Sequence, residues 1–359
     1  MSEVQVLVLM GGPDAERDIS IRSGAMIASA LREAGGFIVH EQVIDTPTSA
    51  DLRQLPGDVI FPVLHGPFGE GGPLQEIMEA DGRPYVGSRP RASRISMDKI
   101  TSKLFARAAG IRTPPARILV VGEPCDLEMP VVVKPIDDGS SFGVRRCFDA
   151  AQFAAARAEL EVQYPRLMAE KLITGREITV GILERDLLPM IEVVTTQDFY
   201  DFSAKYERAD TKYILEPELS PEVRAEIAHA AQLLYERIGC RDVARVDFMV
   251  DGDGAWFLEI NSMPGMTAQS LVPKAAAHAG ISCSQMCARL VERSLARMKG
   301  NQRGSRRGPN SDDRPAHESG AEVDATSEAN GVATIVEETQ SGHHESESTI
   351  RSNEGSSGE

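Results

Sequence analysis

The chain has 359 residues, 42% hydrophobic and 26% charged, with a formal net charge of −16. That length and balance suit a folded protein of two or three structural units, while the acidity and the lack of a dense Lys/Arg block in the first 300 residues argue against a nucleic-acid partner. Cys125, Cys147, Cys240, Cys283 and Cys287 form no CxxC and no paired framework, which fits reduced thiols in the cytoplasm. Cys283 and Cys287 lie one helical turn apart with no His beside them and read as packing residues rather than metal ligands.

The opening MSEVQVLVLMGG lacks a positive leader, is too short to span a bilayer and reads as a first strand. A helix around Ser20 to Ala34 follows and stops at Gly35-Gly36. VIFPVLH then leads through a glycine loop to LQEIMEADG and the short strand PYVG. This βαβ rhythm predicts a parallel sheet in an α/β protein. A helix from about Ser96 to Ala109, stopped at Gly110, opens a second unit containing RILVV, the paired runs PVVVKP and GVRRC, and a helix from Ala150 to Glu159. Next come EITVGILERDLLPMIEV, a hairpin turning at Glu184 to Asp186, and a polar loop over 197–213. Ser220 then caps a helix that has Pro221 at its first position and Gly239 at its stop. The last helix is expected from Ser282 to Met298. From Gly300 onward there is no Phe, Trp or Tyr, and 5 Lys/Arg stand against 12 Asp/Glu, so this acidic tail is expected to be disordered.

Two stretches carry chemistry. VKPIDDGSSFGV places Lys134 at the end of an apolar strand before a glycine-serine turn, whose backbone N–H groups could cradle phosphate or could simply close a hairpin. It is not a Walker loop, and the first strand lacks a GxGxxG fingerprint. In RVDFMVDGDGAWFLEINSMPG, Arg245, Asp247, Glu259 and Asn261 interrupt two apolar strands at spacings of two. Buried carboxylates need cationic partners, and Asp247, Glu259 and Asn261 offer the hard oxygen donors that suit magnesium. With a two-residue turn at Gly252 and Asp253, Asp247 would lie opposite Leu258. Sharing a cation with Glu259 therefore requires a one-residue shift, by a bulge or an odd-length loop, which the glycines at 252 and 254 would permit.

GGPDAERDISIRSG, HGPFGEGGPLQ, SMDKITSKLFARAAG, VVVKPIDDGSSFGV, EKLITGREITV, FYDFSAKYERADTKY, RVDFMV and LEINSMPGMTAQSLVP, in this order and spacing over residues 5–298, resemble the D-alanine–D-alanine ligases of the ATP-grasp superfamily. The resemblance implies an N-terminal Rossmann-like parallel sheet followed by a two-subdomain ATP-grasp fold. The units would be a substrate-binding domain over 1–95, a central subdomain over 96–170, a metal-bearing C-terminal subdomain over 171–299 and the tail over 300–359. It implies ATP-dependent joining of two D-alanines through an acylphosphate, for peptidoglycan precursor synthesis, in a cytoplasmic homodimer with two magnesium ions or manganese in their place. No membrane or nucleic-acid partner is expected.

By resemblance, Lys99 and Lys134 meet the nucleotide phosphates, Glu170, Lys171, Leu172, Glu177 and Phe199 form the adenine and ribose pocket, and Lys205 closes over it from the long loop. Asp247, Glu259 and Asn261 hold the metals, and Arg245 steadies the tetrahedral intermediate. Glu16 receives the first alanine's ammonium, with Ser140 and Tyr206 linking it to the loop. Gly265, Ser270 and Leu271 surround the second alanine, with His65 near the substrate. Read alone, Glu16 could merely favour a helix N-terminus, and His65 could be a core histidine. Two departures stand out. Asp137-Asp138 replaces the family's commoner basic-acidic pair, and Ser262-Met263 stands where small hydroxylated residues are commoner, setting a bulky thioether beside the metal site. The rivals are a ligase forming D-alanyl-D-lactate or D-alanyl-D-serine, which Tyr206 argues against, and a non-catalytic ATP-grasp module, which the full set of lysines and acids argues against.

Overall fold

The computed structural model describes residues 3–195 and 211–305, with side chains as far as residue 298. Phe199, Lys205, Tyr206 and the expected tail beyond 305 lie outside the described residues.

The first layer is built on β1 (Val4–Gly11), whose apolar run is buried on both faces. Val6, Val8 and Met10 face one cluster and Leu7 and Leu9 another, as the two-residue repeat of a covered central strand requires. α1 (Arg17–Ala34) covers the first face and returns the chain to β2 (Phe37–Ile44). α2 (Ser49–Gln54), with Thr48 as its cap, leads to β3 (Val59–Pro62), and the parallel order is β2-β1-β3. β2 escaped the sequence reading because it is an edge strand with exposed Ile38 and Val43 and an interrupted apolar pattern. PYVG forms only an isolated bridge, Ile60 to Tyr85, and not a strand. The glycine loop carries α3 (Gly66–Glu70), and α4 (Pro73–Asp81) follows.

The helix expected over 96–109 is two helices, α5 (Pro90–Met97) and α6 (Lys99–Ala108). Asp98 makes the break. Its extended backbone ends the first helix, and its carboxylate accepts from Thr101 N at 2.7 Å to start the second. An antiparallel sheet of order β4-β7-β5-β6 comes next, from β4 (Ala116–Leu119), β5 (Val131–Pro135), β6 (Arg145–Cys147) and β7 (Leu167–Lys171), backed by α7 (Ala150–Gln163).

A third, antiparallel sheet holds β8 (Arg176–Leu183), the two-residue β9 (Asp186–Leu187), β10 (Ile191–Val194) and β11 (Lys212–Leu215). β11 begins inside the segment expected to be loop. α8 (Pro221–Ile238) has the expected Ser220 cap and left-handed Gly239 stop. β12 (Val243–Asp251) and β13 (Gly254–Asn261) complete the sheet in the order β11-β10-β8-β12-β13, with β9 beside β8.

α9 (Leu271–His278), unforeseen in the sequence, precedes α10 (Cys283–Ser305), which runs past the expected boundary at 300. α10 packs on α1, and Met286, Cys287, Leu290 and Val291 share one buried cluster with Ile27 and Leu31. Cys287 is thus a packing residue. Asp242 ties α10 to the segment after β3 by accepting from Gly87 N at 2.7 Å and from both terminal nitrogens of Arg297. Among the described residues, no helix is long and apolar enough to cross a membrane.

Candidate active site

The β12–β13 hairpin sets the site. Its turn is the plain two-residue one, Asp251 pairing Gly254, so the glycines do not shift the register. The shift falls between Asp247 and Phe248, which pair Glu259 and Phe257 and leave Leu258 as the bulged residue. Asp247 therefore faces Glu259, and Arg245 faces Asn261 one step along the same side.

Each acid meets a cation. Arg245 Nε and Nη2 donate to Asp247 at 2.9 and 2.8 Å, and Thr179 Oγ1 donates to its Oδ1 at 2.6 Å. Lys99 Nζ lies 3.4 Å from Glu259 and donates to the Asp138 carbonyl at 2.6 Å. Asn261 Nδ2 donates to Asp247 at 3.3 Å, and a turn of that amide would aim its oxygen at the same space. Among the described residues no three His, Cys, Asp or Glu side chains converge on a cation position. Two carboxylates and one amide oxygen, already holding cationic side chains, fit a hard cation that completes its shell with phosphate or water.

A cavity of about 350 Å³ lies between the second and third sheets, and Asp247 and Glu259 lie on its wall. Lys99, Lys134, Glu170, Lys171, Leu172 and Glu177 line it too, so the structure brings together every described residue expected for the nucleotide. Lys134 Nζ is 2.5 Å from one Glu170 oxygen, and Lys103 Nζ is 2.7 Å from the other. Burial alone would raise the Glu170 carboxyl, but the charges of the two lysines beside it outweigh that and hold the group at about 2. Burial likewise pushes Lys103 down to about 8 against the pull of Glu170. Lys103 was missed, although it sits four residues after Lys99 on one helix face.

A second cavity, of about 60 Å³, shares Gly139, Arg245, Glu259 and Leu271 with the first. Glu16, His65, Ser140, Asn261, Gly265 and Ser270 complete its expected lining. Glu16 is at the N-cap of α1, yet its side chain makes no capping bond; it accepts a short hydrogen bond from Ser140 Oγ, 124 residues away. Ser140 has φ 49°, a left-handed backbone that aims the hydroxyl across the boundary between layers. Ser270 is the N-cap of α9, and its hydroxyl accepts from Thr267 N at 3.0 Å.

His65 is buried, and burial lowers its pKa, with Arg245 adding to the effect and Glu16 opposing it. Glu70, unforeseen in the sequence, also lines this cavity, and burial with the nearby charge of Glu16 raises its carboxyl well above the usual range. Asp14 fixes the loop carrying both, accepting from Phe68 N at 2.9 Å. The two departures have structural answers. Arg166 pairs with Asp137 at 3.1 Å and Asp98 at 2.7 Å, offsetting part of the acidity beside the loop. Met263 is buried, and its methyl reaches Gly87, where an added Cβ would lie 2.6 Å away.

A parallel layer followed by two antiparallel sheets with a lysine-lined cavity between them is an ATP-grasp fold. The family model described as D-ala D-ala ligase C-terminus matches residues 119–292. The chain is 40% identical over 292 residues to the D-alanine–D-alanine ligase of an Anaeromyxobacter species, covering 79% of this chain and 94% of that one. It is 40% identical over 293 residues to D-alanine–D-alanine ligase B of Chromobacterium violaceum, covering 79% and 95%. The crystal structure of the Bacillus anthracis D-alanine–D-alanine ligase superposes with a TM-score of 0.75 at 32% identity, covering 83% of this chain and 99% of that one. The same enzyme complexed with ATP gives 0.74. The chain belongs to the D-alanine–D-alanine ligase family.

Proposed function

We propose that the protein joins two D-alanines at the expense of ATP. The observation that carries this reading is the shared wall of the two cavities. Glu259 and Arg245 line both, so a phosphoryl group in the large cavity and a carboxylate in the small one would meet beside the Asp247–Glu259 pair.

The adenine would lie against the strand Glu170 to Leu172 and the ribose near Glu177, with Lys99 and Lys134 on the phosphates. Glu16, held by Ser140, would take the ammonium of the first D-alanine and turn its carboxylate toward the γ-phosphorus. Attack by that carboxylate oxygen breaks the β–γ phosphoanhydride bond, leaving ADP and an acylphosphate. The amine of the second D-alanine, bound near Gly265, Ser270 and Leu271 and stripped of its proton, attacks the carbonyl carbon. Arg245 stabilises the oxyanion of the tetrahedral adduct, which collapses to the peptide bond and inorganic phosphate. Asp247, Glu259 and Asn261 would hold magnesium, two ions in the family, and bound magnesium supplies charge neutralisation at the phosphates. By resemblance, Phe199 completes the nucleotide pocket while Lys205 and Tyr206 close the long loop and exclude water. The same reading places the enzyme in the cytoplasm as a homodimer supplying peptidoglycan precursors.

Incubation with ATP, magnesium and D-alanine tests this reading. One phosphate should appear per D-alanyl-D-alanine identified by mass. Phosphate release without dipeptide, or preferential capture of D-lactate or D-serine, would reject it.

A further inference from the structure

The cavity wall carries a charge arrangement of which one member, Lys103, has no part in the ligation scheme. Glu170, on β7, is clamped between Lys134 from β5 at 2.5 Å and Lys103 from α6 at 2.7 Å, and their side chains are 4%, 9% and 3% exposed. Lys134 and Glu170 reach the cavity, whereas Lys103 lies behind its wall and also donates to Thr113 Oγ1 at 2.8 Å. Two lysines and one carboxylate sum to one positive charge. Without Lys103 the remaining pair would be neutral, and Lys134 would be fully committed to Glu170.

We propose that Lys103 is a positioning residue for nucleotide phosphates. By occupying one oxygen of Glu170 it leaves the charge of Lys134 available to an anionic ligand in the large cavity. Because the three side chains are nearly dry, their mutual field is poorly screened, and one missing charge is felt strongly by the next. Lys103 would touch neither nucleotide nor amino acid, and its effect would scale with the charge of the ligand.

The inference rests on the nucleotide reading, and the test separates the two. ADP and adenosine are titrated calorimetrically into the full-length protein and its variants at fixed ionic strength. Wild type should bind ADP more tightly than adenosine; failure to bind ADP at all would reject the nucleotide reading itself. Lys103→Met should weaken ADP at least tenfold and leave adenosine within about twofold, whereas a merely structural role would weaken both alike and would overturn the inference. Glu170→Gln carries the opposite sign, raising the cluster to two positive charges, so its ADP-to-adenosine affinity ratio should exceed that of wild type even if Lys103→Met does not fold. An unchanged or lower ratio in Glu170→Gln would equally overturn it.

Discussion

Asp247 and Glu259 face each other across β12 and β13 because Leu258 bulges out of the ladder; the two-residue turn alone would have set Asp247 against Leu258. Register here determines function, since a one-residue slip sends alternate side chains to opposite faces. Glu259→Gln preserves shape and register and removes one ligand charge. Turnover should fall roughly 100- to 1,000-fold, the scale of losing one electrostatic contact to a transition state, while the melting temperature stays near wild type. A variant with full dipeptide synthesis would dissociate the hairpin from catalysis.

Ser140 allows backbone and hydroxyl to be separated. Its left-handed φ of 49° favours glycine, so Ser140→Gly relieves the backbone and deletes only the bond to Glu16, whereas Ser140→Ala deletes the bond and keeps the strain. Both should raise KM for the first D-alanine about tenfold or more, in line with about 1.5–3 kcal/mol for a hydrogen bond to a charged group. KM for ATP should hold. Steady-state kinetics with each substrate varied in turn measures both constants, and an equal rise in the two KM values would contradict this assignment.

Glu70 makes stability depend on pH. Its folded pKa is raised by burial and by the charge of Glu16, so the unfolded chain releases this proton at a lower pH than the folded one. The group therefore stabilises the fold below the ordinary carboxyl range, and that contribution is lost as pH rises through the folded pKa. Glu70→Gln removes the loss, and its melting temperature relative to wild type should be higher at pH 8 than at pH 5. His65 acts in the opposite direction, since its lowered pKa costs stability as pH falls through its ordinary value. Thermal melts across pH 5–8 that show a parallel shift for Glu70→Gln would contradict a raised pKa at this carboxyl.

Arg297→Met should destabilise the protein by about 3 kcal/mol, because the Asp242 side chain is fully buried and would lose both bonds from that guanidinium. Adding Asp242→Asn should recover part of the loss. Urea unfolding of the single and double variants measures this, and an additive double variant would mean that the pair is not coupled.

The sequence made the site more legible than the frame. Ser220, Pro221 and Gly239 announce α8 because capping is local chemistry, and the spacing of Arg245, Asp247, Glu259 and Asn261 announces a shared face because a strand repeats every two residues. β2 was hidden by its edge position, which leaves none of its side chains fully buried. The break at Asp98 was hidden by an unbroken helical pattern around a residue whose side chain caps as readily as it continues. The i, i+4 spacing from Lys99 puts Lys103 on the same helix face but does not reveal its role, and Glu70 carries no comparable mark: their roles come from neighbours far along the chain, Lys103 from Glu170 and Glu70 from Glu16.

The packing of α10 on α1 sets an order of assembly. The surface of α1 that buries Ile27 and Leu31 is complete once the first 34 residues exist, but its cover, from Met286 to Val291, is among the last parts of the folded body to be made. At about 5–20 residues per second of synthesis, this apolar stripe waits roughly 13–50 s for its partner. A nascent chain stalled before residue 283 therefore exposes a sticky helix face beside the open edge of β2. That interval, more than the finished molecule, is when chaperone contact or aggregation would decide the yield.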